Sequence, residues 1–210
     1  MKTAAIIPVK TFSHAKTRLD LPASQKEELC KIMLEEILHT VSMSPKISEA
    51  VIVTGEKEAA RIGKKFGATV LEDQRENGVN GAVAIADRYL LESGFDASMV
   101  LPQDIPYIKV QDIDFVMNHM GIPNFAIVVP SRRFDGTNAL VRMPVDLMET
   151  HYDEGSYKIH LSTAKKYTSN AALVFVRRIM TDVDNIEDLK YLLGQAEKPQ
   201  LVEKIRAIIE

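Results

Sequence analysis

The stretch Val100-Leu101-Pro102-Gln103-Asp104-Ile105-Pro106 reads as a buried strand that stops at a carboxylate bracketed by two prolines. Proline supplies no ladder N–H, so Pro102 and Pro106 end sheet pairing and leave a stiff turn. At the carboxyl rim of an open α/β sheet, where ligands bind, one fixed Asp is a metal or phosphate address. The plain alternative is a solvated turn residue or a helix cap. A second acidic motif, Thr181-Asp182-Val183-Asp184-Asn185, precedes another expected helix. Residues two apart in an extended segment face the same way, so Asp182 and Asp184 can look at one site. Opposite Asp104 they would make a hard-oxygen pocket suited to Mg²⁺, which keeps several waters and takes its remaining ligands from phosphate. Here too a cap is the alternative, with Asp184 or Asn185 closing a helix whose first turn carries Glu187 and Asp188.

Cations cluster elsewhere. Lys10, His14, Lys16 and Arg18 follow the first apolar run and could clamp a polyphosphate, Lys as a point charge and Arg as a fork, or could simply be a solvated basic loop. Neither a P-loop nor a dinucleotide fingerprint follows that run. Asn77-Gly78-Val79-Asn80-Gly81 opens a helix whose free N–H groups could meet an anion or a base, although turn chemistry with Asn80 as N-cap explains the same residues. Arg132 and Arg133 lie at another expected strand end, where one could steer an anionic group, or both could be solvated loop charges. Tyr152 and Tyr157 either shape a pocket or pack. The histidines, His14, His39, His119, His151 and His160, show no ligand spacing, though His160 sits one helical turn after Ser156 and could reach an anion. Cys30 lies on an apolar helical stripe and reads as a buried, inert thiol.

The elements that must position these residues alternate short β-type runs with longer helical patterns, which points to βαβ units and a mainly parallel sheet. Strands are expected at Ala4 to Val9, Ala50 to Thr54, Ala68 to Leu71, the run before Asp104, Phe125 to Val129, Asn138 to Met143 and Ala172 to Val176. A capping box at Ser24 to Glu27 should start a helix through Val41. Further helices are expected at Glu56 to Phe66 with Gly67 as its stop, Asn80 to Glu92, Val110 to Met120 ended by Gly121, Ser156 to Tyr167, Ile186 to Leu193 and Pro199 to Ile209. The 210 residues, 46% hydrophobic, suffice for one sizeable core and one domain, 1–210. A net charge of −3 and no basic run argue against nucleic acid as partner. No segment is long and apolar enough for a signal or a span, so a cytoplasmic protein with no membrane partner is expected.

In order along the chain, Val9-Lys10 with Lys16, Arg18 and Leu19, then Gly78-Val79-Asn80, Asp104-Ile105-Pro106, Gly136-Thr137-Asn138-Ala139-Leu140 and Asp182-Val183-Asp184 resemble the 2-phospho-L-lactate guanylyltransferase family. The resemblance spans nearly the whole chain. It implies an α/β fold, a single-domain three-layer sandwich with a mainly parallel mixed sheet of the nucleotide-diphospho-sugar transferase (GT-A, Rossmann-like) type. It also implies a reaction of GTP with 2-phospholactate that releases pyrophosphate in coenzyme F-420 biosynthesis. By that similarity Lys10, Lys16 and Arg18 hold the triphosphate and act in catalysis with Asp104. The nucleotide would lie against Pro8, Val9, Lys10, Gly78, Asn80, Gln103 and Asp104. Thr137, Asn138, Ser156 and Arg133 would hold the acceptor, and Asp104 with Asp184 would carry Mg²⁺. A homodimer is implied as well, to which an apolar edge of Val128, Val129 and Leu140 could contribute.

Bacterial relatives of this group use phosphoenolpyruvate. They are glycine-rich before the matching Ser, where this chain has Tyr152-Asp153-Glu154-Gly155-Ser156. Negative charge beside an anionic acceptor is unfavourable, which leaves the acceptor open. Two other readings stand beside this one: a nucleotidyltransferase acting on a sugar phosphate or a pterin cofactor, and a non-catalytic nucleotide-binding regulator. The chemistry itself needs no general base, because an acceptor phosphate is already ionised at neutral pH; the obstacle is repulsion between polyanions.

Overall fold

The computed structural model describes residues 1–119, 123–153 and 155–209. The expected end of the Val110 helix at Met120 and Gly121, and the acidic Glu154, lie outside those residues. The strands are β1 (Thr3–Val9), β2 (Glu49–Thr54), β3 (Thr69–Glu72), β4 (Ala97–Val100), β5 (Phe125–Pro130), β6 (Thr137–Met143) and β7 (Asn170–Leu173). The helices are α1 (Ala23–Ser42), α2 (Lys57–Lys65), α3 (Gly78–Glu92), α4 (Val110–Met117), α5 (Ser156–Tyr167), α6 (Ile186–Leu193) and α7 (Pro199–Ile209).

The strands form one sheet in the order β3-β2-β1-β4-β6-β5-β7. Every pairing is parallel except those of β6, which runs antiparallel to both β4 and β5. Buried helices α1, α2, α4, α6 and α7 supply one apolar layer, with Leu29, Met33, Ile62, Ile113, Leu189 and Ile205 packed on the Ile7, Ile52 and Ile127 side. The opposite face of the sheet meets α3 and α5 through Val83, Ala86, Leu90, Tyr157 and Leu161. Because both faces are covered, the central strands are apolar at nearly every position rather than alternating.

The crevice arises at β1. Its successive neighbours are β2 on one side and β4 on the other, a topological switch point. Pairing with β4 stops at Ile6 opposite Val100, so Ile7 to Val9 run on without a partner on that side. Pro8, which has no N–H to offer, sits in this unpaired stretch, where a missing donor costs least.

Three local expectations need correction. Helix α1 has Pro22 as N-cap with no side-chain cap bond, because Ser24 already lies inside the first turn. Asn77 rather than Asn80 occupies the N-cap position of α3, without a side-chain cap bond, and Gly78 takes a φ of 73° that other residues rarely adopt. The last strand is Asn170–Leu173 instead of Ala172 to Val176, since Val176 is apolar for packing in the core and not for pairing. Gly67 does end its helix, at φ 73°. Val128, Val129 and Leu140 form no edge: all three are completely buried inside this chain and offer no face to a second copy. Among the described residues no helix is long and apolar enough to cross a membrane.

Candidate active site

The two acidic motifs meet at one lysine. Lys16 Nζ lies 2.5 Å from Asp104 Oδ2 and 3.0 Å from Asp184 Oδ1. Lys16 holds a φ of 55°, a strained left-handed backbone for a side chain with a Cβ, which turns the loop after β1 back over the crevice. The acidic loops are also tied by backbone, with the Val183 N–H donating to the Asp104 carbonyl at 3.0 Å. Asp184 is free to face Lys16 because its neighbour does the capping. Asn185 Oδ1 accepts from the N–H groups of Glu187 and Asp188 and closes α6. Asp104 caps nothing either, as α4 begins after Lys109.

Charge at this point is unbalanced. Burial opposes the Lys16 ammonium, but Asp104 and Asp184 outweigh it and raise its pKa above the ordinary lysine value, so it stays charged. Asp182 stands nearby with Asn138 Nδ2 donating to its carboxylate at 3.2 Å. Burial, then repulsion from Asp104 and Asp184, pushes Asp182 up to about 6.

Two cavities adjoin at this cluster. The larger, about 310 Å³, is lined by Lys10, His14, Lys16, Asp73, Gly78 and Gln103 among others. The second, about 280 Å³, is lined by Ser131, Gly136, Thr137, Asn138, Tyr152 and Ser156. Pro8, Val79, Pro102, Asp104 and Asp184 border both. The first cavity also reaches Val53 of β2 and the loop after β3, so it runs along the sheet rim from the segment after β4 to the segment after β3. Three strand spacings amount to roughly 14 Å.

Most residues expected from the sequence gather here, but not all as expected. Pro8, Val9, Lys10, Gly78, Gln103 and Asp104 line the larger cavity, and Thr137, Asn138 and Ser156 the smaller. Among the described residues the buried Gln103 Oε1 has no hydrogen-bond partner, which leaves it available to a ligand donor. Lys16 is committed to the two carboxylates rather than standing free for phosphate. Arg18 is exposed on the same loop and lines neither cavity. Asn80 does not line the larger cavity; its Oδ1 accepts from the Tyr152 N–H at 2.8 Å and ties α3 to the loop before α5. Arg133 lines neither cavity, because Asp188 holds it. Its Nη2 lies 2.7 and 2.6 Å from the two Asp188 oxygens, and Arg132 shares that carboxylate. Asp188 in turn accepts from the Asp184 N–H at 3.1 Å, so the arginines brace the acidic loop and line neither cavity. Cys30 is buried, and burial raises its thiol to about 11, consistent with an inert core residue.

Sequence reasoning missed Asp73, at the far end of the larger cavity. Its Oδ1 accepts from the N–H groups of Arg75 and Glu76, while Oδ2 has no hydrogen bond among the described residues. An Asp two residues before Arg75 in a polar loop carries no signal of its own. His160 is fully buried and reaches no anion directly. Its Nδ1 lies 2.9 Å from Thr137 Oγ1 and its Nε2 2.8 Å from the His151 N.

Among the described residues no three carboxylate, His or Cys groups could hold a metal alone. Two carboxylates on one point do suit Mg²⁺, which ordinarily takes one or two from protein and the rest from water and phosphate. Asp104 and Asp184, which border both cavities, are the pair that would hold it.

The family described as guanylyl transferase CofC like matches residues 3–208. The 2-phospho-L-lactate guanylyltransferase of Methanothermobacter thermautotrophicus is 27% identical over 210 residues, covering 99% of this chain and 92% of that protein. The phosphoenolpyruvate guanylyltransferase of Conexibacter woesei is 28% identical over 195 residues, covering 91% and 87%. Among solved structures, one assigned as a nucleotide-diphospho-sugar transferase from Desulfovibrio desulfuricans G20 superposes with a TM-score of 0.78 at 14% identity, covering 100% of this chain and 97% of that one. The fold is therefore of the nucleotide-diphospho-sugar transferase type, as the sequence resemblance implied.

Proposed function

The chain belongs to the CofC-like guanylyl transferase family, and from that premise we propose that it joins GTP to 2-phospho-L-lactate, releasing pyrophosphate, in coenzyme F-420 biosynthesis. The observation that carries the reading is the pair of cavities bordered in common by Asp104 and Asp184. A transferase must bring two phosphates together at one point, and Asp104 and Asp184 are the charged residues in the lining the two cavities share.

An oxygen of the acceptor phosphate attacks the α-phosphorus of GTP. The new P–O bond forms as the bond from the α-phosphorus to the bridging oxygen breaks, and the electron pair leaves with pyrophosphate. No proton is removed, so the site needs no base; it needs cations and alignment. Lys10 lines the nucleotide cavity and Lys16 stands at the seam, where the repulsion between the two anions is greatest. Mg²⁺, when held by Asp104 and Asp184, would supply further neutralisation there. Asp73 supports guanine as the base. A carboxylate oxygen without a partner accepts from the N–H groups of a guanine edge and meets only a lone pair at the corresponding atom of adenine. A cytoplasmic location and a homodimer belong to the same proposal, the latter to be measured by light scattering.

Phosphoenolpyruvate is the second acceptor worth testing, because the relative named for it is as similar as the one named for 2-phospholactate. The test is a pyrophosphate-release screen of four nucleoside triphosphates against small phosphorylated acids, with and without Mg²⁺. The expected outcome is Mg²⁺-dependent release with GTP and 2-phospholactate. Faster release with phosphoenolpyruvate would exchange the acceptor, and no release with any acid would end the proposal.

A further inference from the structure

His160 heads a chain of hydrogen bonds that ends in the acceptor cavity. The backbone N–H of His151 points at Nε2 from 2.8 Å. An amide N–H can only donate, so Nε2 must present its lone pair, and the neutral ring then carries its proton on Nδ1. That Nδ1–H is 2.9 Å from Thr137 Oγ1, which must accept it. Ser156 Oγ lies 3.1 Å from the same oxygen.

Each hydroxyl owns one proton. With the imidazole donating into the pair, one of the two hydroxyl protons is spent between Thr137 and Ser156. The other has no acceptor within the pair and is left for the cavity that both residues line. Were the ring in its other tautomer, the Thr137 proton would turn inward to Nδ1 and the Ser156 proton would follow it onto Thr137. The cavity would then see only lone pairs, which repel an anion.

We propose that His160 is a positioning residue for the acceptor: its tautomer, set by the His151 amide, makes the Thr137–Ser156 pair an obligatory hydrogen-bond donor to the anionic acid. The inference rests on the acceptor cavity assigned above and adds the residue that sets its polarity. The two hydroxyls are largely buried, so their orientation is set mainly by their protein partners. His160 touches neither substrate.

Two measurements test it. In protein labelled with ¹⁵N-histidine, the His160 resonances should report a protonated Nδ1 and a bare Nε2; a protonated Nε2 would overturn the relay whatever the enzyme does. Kinetically, H160N keeps an N–H near the Nδ1 position, whereas H160Q keeps an acceptor near Nε2 and loses the donor to Thr137. The expected result is an acceptor KM within about threefold of the parent for H160N and raised about tenfold or more for H160Q, with the GTP KM unchanged in both. In a T137V background H160Q should add nothing further, because the oxygen it acts through is gone. An unchanged acceptor KM in H160Q, equal rises in both KM values, or additive effects with T137V would overturn the inference while leaving the proposed function standing. Failure of the parent protein to turn over any acid would overturn both.

Discussion

Asp104 and Asp184, which follow different strands, share one counter-ion, the Lys16 ammonium, at 2.5 and 3.0 Å. Each carboxylate alone would be an ordinary rim residue. Together they define a point that borders both cavities, and the first prediction concerns them. D104N and D184N keep the shape and the hydrogen-bonding reach of the side chains, so the fold should survive. Each should lower kcat/KM by about a hundredfold or more, close to 3 kcal/mol of barrier. Pyrophosphate release titrated with Mg²⁺ measures this, and near-parental turnover in either variant would contradict it.

The Asp73 carboxylate gives a selectivity prediction. Asn at this position can still accept the Arg75 and Glu76 N–H bonds through Oδ1 while its amide replaces the free oxygen. D73N should therefore fold normally and lose about tenfold or more in kcat/KM for GTP, with xanthosine triphosphate becoming the better substrate. Unaltered preference for GTP over xanthosine triphosphate would remove Asp73 from base reading.

Arg133 is held by Asp188 and lines neither cavity, so R133A should leave the acceptor KM within about twofold of the parent. Asp188 retains Arg132, and the loss in stability should be modest, about 1 kcal/mol, since Arg133 is itself partly exposed. Denaturant melts and acceptor titrations separate these readouts. A tenfold rise in acceptor KM would restore Arg133 to the binding site.

His160 predicts a pH dependence of stability. Burial, with smaller contributions from His151 and Arg142, lowers its folded pKa from 6.5 to about 4, while Tyr152 covers the ring edge-on. Between those values the unfolded chain binds the extra proton, so stability is fully present above pH 6.5 and falls as pH drops toward 4. The His160 contribution lost between pH 7 and pH 5 should be about 2 kcal/mol. Urea denaturation of the parent and H160N at both pH values isolates it, and identical slopes in the two proteins would refute it.

Much of this architecture was legible in the chain. The helices Ser156–Tyr167, Ile186–Leu193 and Pro199–Ile209 follow from apolar spacing and flanking turn residues. Thr137 and Ser156 are marked only by the family resemblance, whereas the candidate positions Asp104 and Asp184 follow from motifs at a strand end and before a helix. Such signals are local, because a residue's position on an element depends on its near neighbours. What could not be read was which partner each polar group takes. Arg133 and Lys16 carry the same charge in sequence as any free cation. Only folding set one against Asp188 and the other between two carboxylates.

The amino-acid sequence by itself determined the alternation of strands and helices and the residues capable of the chemistry, since these depend on composition and period. The tertiary structure alone decided the order of the strands, the seam between the two cavities and the tautomer of His160. Those depend on contacts between residues far apart in the chain, such as Asp104 with Val183 or His160 with Thr137, whose geometry no local pattern encodes.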